Sequence, residues 1–222
     1  MATTAKVRRC TRLRGEPMRG RAAPERATMS RRRKERKEAM HYLSHYESPL
    51  GSMTMASDGE HLTGLWFDGQ KYDRSTMDDD AVLQPRLPVF TQTAQWLDAY
   101  FEGADPGFTP PISIEGSDFR KMVTSIMLSI PFGATSTYAR IAAEVARRTG
   151  RKQMSAQAVG GAVGHNPITL IVPCHRVLAS DGSLRGYAGG VDRKERLLEM
   201  EGVNMAGLST PPTADDGGGR RE

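Results

Sequence analysis

Apolar residues recur in a regular pattern only from about residue 41 onward. The short run MTMA (53–56) lies between two turn signals, SPLGS (48–52) and SDGE (57–60), and the apolar run LTGLWF (62–67) follows. Short apolar runs separated by Gly, Pro, Ser and Asp predict strands joined by tight turns, a β-meander. Further on, TQTAQWLDAYF (91–101) places Trp96, Leu97, Tyr100 and Phe101 at helical spacing. Residues 103–111 are rich in Pro and Gly and read as a linker. A small α/β domain over 41–115 is therefore expected.

A second pattern opens with Phe119, Met122, Val123, Ile126, Met127 and Ile130. This i, i+3, i+4 spacing predicts an amphipathic helix, broken by PFG at 131–133. Thr137 is placed to cap a helix over 138–148, with Ile141, Ala142 and Val145 inward and Gly150 closing it. Ser155 is placed to cap a short helix, AQAVGGAVG, stopped by Asn166–Pro167. Two short successive helices suggest a helix-turn-helix. The second is unusual, because Gly160 and Gly161 in its interior cost about 1 kcal/mol each relative to Ala. A helix that gives up stability for a thin surface either lets another backbone come close or packs tightly on a neighbouring helix; both readings stay open. ITLIV (168–172) reads as an apolar strand, and Asp192 with Glu195 as a capping-box-like pair for a last helix ended by Gly202. From Ala206 the chain is Thr, Pro, Asp and Gly, and a disordered tail over 206–222 is expected.

Charge is unevenly spread over the 222 residues and the net +5 conceals it. Residues 1–40 carry fourteen Lys/Arg against four Asp/Glu, residues 41–117 three against twelve, and residues 118–205 twelve against seven. The 1–40 segment, with RRRKERK at 31–37, has no apolar face and reads as a disordered basic tail. It either assists nucleic-acid binding or reflects a translation start placed upstream of Met40. The basic segment at 118–205 is compatible with a polyanionic partner. Only Cys10 and Cys174 are present, with no CxxC pair, so neither a disulfide framework nor a cysteine-rich zinc site is expected, and a reducing, cytoplasmic setting fits. No apolar run reaches membrane-spanning length, so no membrane association is expected.

The chemistry concentrates in IVPCHRVL (171–178). A lone cysteine is usually a small buried hydrophobe, and adjacent Cys and His on a strand would point to opposite faces. The question is whether the chain turns at Pro173 and aims the Cys174 thiol at something.

Three runs together answer it. PFGATSTYARIA, AQAVGGAVGHNPITLIVPCHRV and GSLRGYAGG, with LLEMEG behind them, resemble the O-6-alkylguanine-DNA alkyltransferases, also called methylated-DNA–protein-cysteine methyltransferases. The resemblance is strong over 118–203 and weaker, through SPLGSM, in the first domain. It implies an α/β two-domain fold: a small ribonuclease-H-like N-terminal domain over 41–115 and a winged-helix-like, helix-turn-helix domain over 118–205. It implies DNA repair by direct, irreversible transfer of a methyl or other alkyl group from O-6 of guanine, with O-4 of thymine a further candidate substrate. The target base flips out of the duplex, and the thin helix enters the minor groove. The partner is double-stranded DNA, no cofactor or metal is implied, and a monomer is expected.

Residue by residue, the resemblance makes Cys174 the nucleophile and His175 its base through a water, since an unperturbed thiol is mostly protonated at neutral pH. Glu201 orients His175 in the manner of a triad. Asn166 ties the recognition helix to the cysteine turn. Tyr138 crowds the phosphate and donates to the purine, while Gln157, Ala158 and Gly160 lie on the DNA-facing helix. Tyr187, Ala188 and Gly189 form a lid, with the Ala188 N–H on the guanine oxygen. The carbonyls of Cys174 and Val177 accept from the exocyclic amine, and Arg176 holds the turn. Arg147, Arg148, Arg151 and Lys152 are candidate phosphate contacts. A thioether is not hydrolysed under these conditions, so one turnover per molecule is expected. The alternative is a non-catalytic module that binds alkylated DNA, against which the presence of Cys174 argues. A helix-turn-helix regulator and a Cys-His hydrolase fit less well, for want of a metal-binding cysteine cluster and of an oxyanion-hole motif.

One position departs from the pattern. Where well-known members carry an arginine that fills the gap left by the flipped base, this chain has Gln157, shorter and uncharged. Gln157→Arg is expected to tighten duplex binding, read as a lower Kd by fluorescence anisotropy; an unchanged Kd would dismiss the idea.

Overall fold

The computed structural model describes residues 41–78 and 80–210. The expectations for residues 1–40 and 211–222 lie outside them. Strands β1 (Tyr42–Ser48), β2 (Gly51–Ser57) and β3 (Leu62–Phe67) form the expected antiparallel meander. The β1–β2 register closes on Ser48 opposite Gly51, whose φ of 115° suits the tight turn between them. A two-residue strand, β4 (Val82–Leu83), joins β1 in parallel, giving the order β3-β2-β1-β4. Helix α1 (Pro88–Phe101) starts with proline at its first turn, where a missing N–H costs nothing. Its buried face carries Val89, Phe90, Trp96, Leu97 and Tyr100.

The outer edge of β3 is not left open. Leu62 N–H donates to Pro111 and Leu65 N–H to Pro167, while Leu62 and Leu65 carbonyls accept from Ser113 and Thr169. The free edge of a sheet recruits whatever can pair with it, and here it recruits the chain just ahead of the cysteine turn. A single buried cluster runs through both halves, from Leu65, Phe90 and Leu97 to Val123, Val159, Ile168 and Val172.

In the second half, α2 (Asp118–Leu128), α3 (Tyr138–Thr149), α4 (Ala156–Gly164) and α5 (Val191–Met200) follow in order. Ser117, Thr137 and Ser155 each accept a hydrogen bond from the backbone two or three residues into the helix they precede, as N-caps do. Gly150 ends α3 in the left-handed conformation, φ 66°. Strands β5 (Ser136–Thr137) and β6 (Val177–Leu178) pair in parallel. That pair brings the start of α3, with Tyr138, beside the 3₁₀ turn Cys174–Arg176 that runs directly into β6. The helix pair α3–α4 with this small sheet is the expected helix-turn-helix on a winged-helix-like frame.

Three expectations are corrected. ITLIV is a turn rather than a strand: only Ile168 bridges to β3, and Leu170 sits at φ 66°. A short run that is apolar throughout is buried on every side and does not reveal its backbone conformation. The last helix is not capped by Asp192; its N-cap is Gly190, and Asp192 falls in the first turn, where it faces the positive end of the helix dipole. The start of the tail is ordered: Ser209 accepts from Leu184 and donates to Gly182, and Leu208 packs against Leu178, Leu184 and Leu198.

The glycines of α4 now separate the two readings left open above. A Cβ at Gly160 would meet only the Tyr138 ring, at 3.9 Å, and one at Gly161 would meet nothing within 4 Å. Intramolecular packing therefore does not demand them. Gly161→Ala is expected to stabilise the protein by about 1 kcal/mol, measured as a higher midpoint in urea unfolding.

Candidate active site

Glu201, the residue just past α5, is buried with its carboxylate enclosed by donors. His175 Nε2 lies 2.6 Å from Oε1. The Arg176 guanidinium is bidentate, Nε to Oε2 at 2.8 Å and Nη2 to Oε1 at 3.0 Å. Gly133 N–H donates to Oε2 at 3.1 Å and Tyr100 O–H to Oε1 at 2.7 Å. Burial alone would raise this carboxyl, but the bonds from His175 and Arg176 outweigh it and hold the pKa at about 2. An ionised carboxylate only accepts, so His175 must carry its proton on Nε2. Nδ1 then keeps its lone pair; it is buried and has no hydrogen-bond partner among the described residues. Burial holds the imidazole below its ordinary pKa despite the carboxylate, so His175 rests neutral.

The Cys174 side chain is buried, 6 % exposed. Burial pushes the thiol upward, and Asn166 and Thr169 pull part of the way back. Asn166 Nδ2 is 3.1 Å from Sγ, and also reaches Val172 O at 2.8 Å and Ile168 O at 3.2 Å, while Oδ1 accepts from Ile168 N–H at 3.1 Å. The end of α4 is thereby tied to the cysteine turn by one side chain. The resting pair is a thiol beside a neutral imidazole whose free nitrogen is a base.

The remaining expected residues divide. Tyr138, Gln157 and Gly160 line an open cleft of about 750 Å³ between α3, α4 and the 179–186 loop, together with Asp181, Arg185 and Gly186. Cys174 is not among the lining residues, and Ala158 is exposed on α4 outside the cleft. Tyr138 O–H reaches Gly186 O at 3.5 Å, and its phenol is pushed up to about 12, first by burial and then by the proximity of Cys174, whose thiolate form would repel a phenolate. Tyr187 is buried and bonded to Thr169 Oγ1 at 3.0 Å, which ties the 187–189 segment to the turn ahead of Cys174. The Ala188 and Gly189 carbonyls are held from outside, by Lys71 N–H and by Arg193 Nη1. Val177 O already accepts from Lys194 Nζ at 2.6 Å, leaving it one further lone pair. Arg147 and Arg148 both grip Glu144 at 2.7 Å, so their charge is partly committed; Arg151 and Lys152 are exposed.

Two residues escaped the sequence reading. Lys194 is fully buried, and burial lowers its pKa to about 8. Its spacing to Leu197, Leu198 and Glu201 puts it on the inward stripe of α5, a signal that the helix carries charge into the core. Tyr100 lay on an apolar stripe and carried no signal of its hydroxyl's destination. Among the described residues no group of three or more His, Cys, Asp or Glu is placed to hold a metal ion, and no helix is long and apolar enough to cross a membrane.

A buried thiol beside a histidine–carboxylate pair, on a helix-turn-helix body, places a group able to take a thiol proton next to a cysteine on a DNA-binding type of frame. Comparison with known proteins agrees. Residues 118–203 match the family model described as 6-O-methylguanine DNA methyltransferase, DNA binding domain, and residues 41–114 the ribonuclease-like domain of the same family. A protein of Mycobacterium tuberculosis named methylated-DNA–protein-cysteine methyltransferase is 39 % identical over 162 residues, covering 73 % of this chain and 92 % of the relative. One of the same name from Haemophilus influenzae is 34 % identical over 173 residues, covering 78 % and 92 %. The crystal structure of Mycobacterium tuberculosis OGT in complex with DNA matches with a TM-score of 0.62 at 38 % identity, covering 72 % of this chain and 92 % of that one. The chain belongs to the 6-O-methylguanine DNA methyltransferase family.

Glu201 makes stability depend on pH with a definite sign. Its folded pKa of about 2 lies below the ordinary 4.5, so its contribution is complete above pH 4.5 and is lost as pH falls through about 2. Glu201→Gln is expected to flatten the acid limb of a plot of urea midpoint against pH between 5 and 2. It should also destabilise the protein at neutral pH by about 3 kcal/mol or more, because Arg176 is left buried without a counter-charge.

Proposed function

We propose that this chain repairs DNA by moving an alkyl group from O-6 of guanine in a duplex to Cys174. The observation that carries the reading is the buried His175–Glu201 pair beside the cysteine, with Nδ1 of His175 left free as a base. In the reaction Nδ1 takes the thiol proton through one water. The sulfur then attacks the saturated carbon, the carbon–oxygen bond breaks, and its electrons return to the guanine ring. The ring recovers a proton, so that thiol and alkylguanine become thioether and guanine with no atom unaccounted for. The displacement passes through no tetrahedral oxyanion, so its main requirement is the thiolate. As charge leaves Cys174 for the base, donors from Tyr138 and the Ala188 N–H favour departure of guanine.

The binding surface in this reading is α4. Its exposed small residues, Ala156, Ala158 and Gly161, and the cleft-lining Gln157 and Gly160 form a narrow edge suited to a narrow groove. The target nucleotide leaves the stack and reaches Cys174 past Tyr138. Gln157 lines the cleft where a longer, charged side chain would otherwise fill the stack. A thioether is not hydrolysed under these conditions, so in this reading the reaction is a single turnover with one molecule consumed per lesion, and the protein acts as a monomer in the cytoplasm.

Intact mass after incubation with a duplex carrying one O-6-methylguanine is expected to rise by one methyl group, mapped to the Cys174 peptide, and to stay unchanged in Cys174→Ala. Tight lesion binding with no mass gain would instead favour a damage-binding module. Gly161→Ala, more stable as a protein, is expected to bind the same duplex more weakly.

A further inference from the structure

The enclosure of Glu201 includes one donor from the first half of the chain. Tyr100, on α1, is 1 % exposed and donates to Oε1 at 2.7 Å, the same oxygen that His175 Nε2 holds at 2.6 Å. Its hydroxyl stands 3.2 Å from Nε2 itself. The ring is immobilised: it stacks on Trp96 at 5.1 Å and meets Phe101 and Phe132 edge-on at 5.5 and 6.0 Å. These contacts are apolar and a phenylalanine would satisfy them. The hydroxyl is thus the one part of Tyr100 that packing leaves unexplained.

We infer that Tyr100 is a positioning residue that weakens Glu201 as a partner for His175 and so keeps His175 neutral, ready to take the thiol proton; this rests on the transfer reaction proposed above. A carboxylate oxygen shared between two donors is a poorer acceptor for each of them. With the phenol in place, the negative charge at Oε1 is divided among Tyr100, Arg176 Nη2 and the imidazole. Without it, one competing donor is lost, a larger share of the charge on a buried oxygen falls on Nε2–H, and the imidazolium is favoured. The other groups facing His175 are accounted for. Arg176 on the same turn and Lys194 on α5 oppose a positive imidazole, Glu201 favours it, and Cys174 is its chain neighbour. Tyr187 of the lid lies with its ring 6.4 Å away, its phenol kept protonated by burial. Arg176 also donates to the carboxylate oxygen that His175 uses, but from the same turn; Tyr100 reaches that oxygen from the ribonuclease-like half. The arrangement therefore makes the proton acceptor of the DNA-binding half subject to a side chain of the other.

The test uses the full chain. The single-turnover rate of methyl transfer from the duplex is measured against pH, and the His175 ring is titrated by NMR without DNA. In Tyr100→Phe both the acidic limb of the rate profile and the His175 titration are expected to move upward by about half a pH unit or more. Site-specific 3-fluorotyrosine at position 100 keeps the shape and donates more strongly, so both should move downward. Tyr46→Phe removes a tyrosine hydroxyl from an exposed bond to Asp98 on the same helix, and both should stay in place. A uniform loss of rate in Tyr100→Phe with limb and titration unmoved would reduce Tyr100 to a packing residue and overturn the inference, as would a downward movement. If the wild type takes up no methyl group, the proposed function fails, while the NMR titration still decides whether Tyr100 governs His175.

Discussion

A carboxylate buried at Glu201 is the constraint on which the rest of this structure depends. An isolated charge in a protein interior costs several kcal/mol unless it is paired and hydrogen-bonded. The donors that meet this cost are four residues from three places: Tyr100 of α1, Gly133 of the 131–133 loop, and both His175 and Arg176 of the cysteine turn. The loop can approach only because residue 133 is glycine. It lies at φ 73°, and a Cβ there would sit 2.9 Å from the Glu201 carbonyl. Arg176 is anchored in turn to Ile130 O at the end of α2. Closing this shell joins both halves of the chain around one ion pair.

The cysteine turn meets two demands that pull apart. The thiol must be shielded, and the backbone that carries it must be held against its neighbours without a regular ladder. Asn166 resolves this with four contacts from one side chain. The Leu65 edge of β3 supplies two more backbone bonds to Pro167 and Thr169. The turn still carries a cost, since Leu170 is held in a left-handed conformation, of order 1 kcal/mol or more for such a residue. Lys194 adds a buried positive charge near the thiol, with backbone oxygens rather than a carboxylate for partners. The site is thus pre-arranged to tolerate negative charge on sulfur while keeping the thiol protonated at rest.

Legibility followed the range of the interaction. The β1–β2–β3 meander, the caps Ser117, Thr137 and Ser155 and the left-handed Gly150 rest on contacts within a few residues, and each left a mark in the local pattern. Ser117 is the exception in detail: the helix was evident from Phe119 onward, but its cap became clear only with the backbone in place. ITLIV misled because uniform hydrophobicity reports burial and not conformation. Strand β4 is two exposed residues long and pairs across a long loop, so periodicity had nothing to register. The pairing of Ser209 with Gly182 and Leu184 likewise lies in a segment whose composition spoke only for a tail.

Within the site the same division holds. Adjacent Cys174 and His175, Asn166 eight residues earlier and Glu201 beyond the last helix were picked out by the resemblance of their motifs to the family; spacing alone assigned none of their roles. The sequence alone, through that resemblance, pointed to the class of chemistry and to Cys174 as candidate nucleophile, and its pattern placed the thin, glycine-bearing helix. Only the tertiary structure decided which nitrogen of His175 is free, that Arg176 shares the carboxylate with it, and that Tyr100 and Lys194 reach the same centre. The physical reason is that a buried charge is balanced by whatever donors the fold brings within about 3 Å, and those donors lie up to 101 residues apart in sequence. No local pattern records such a distance.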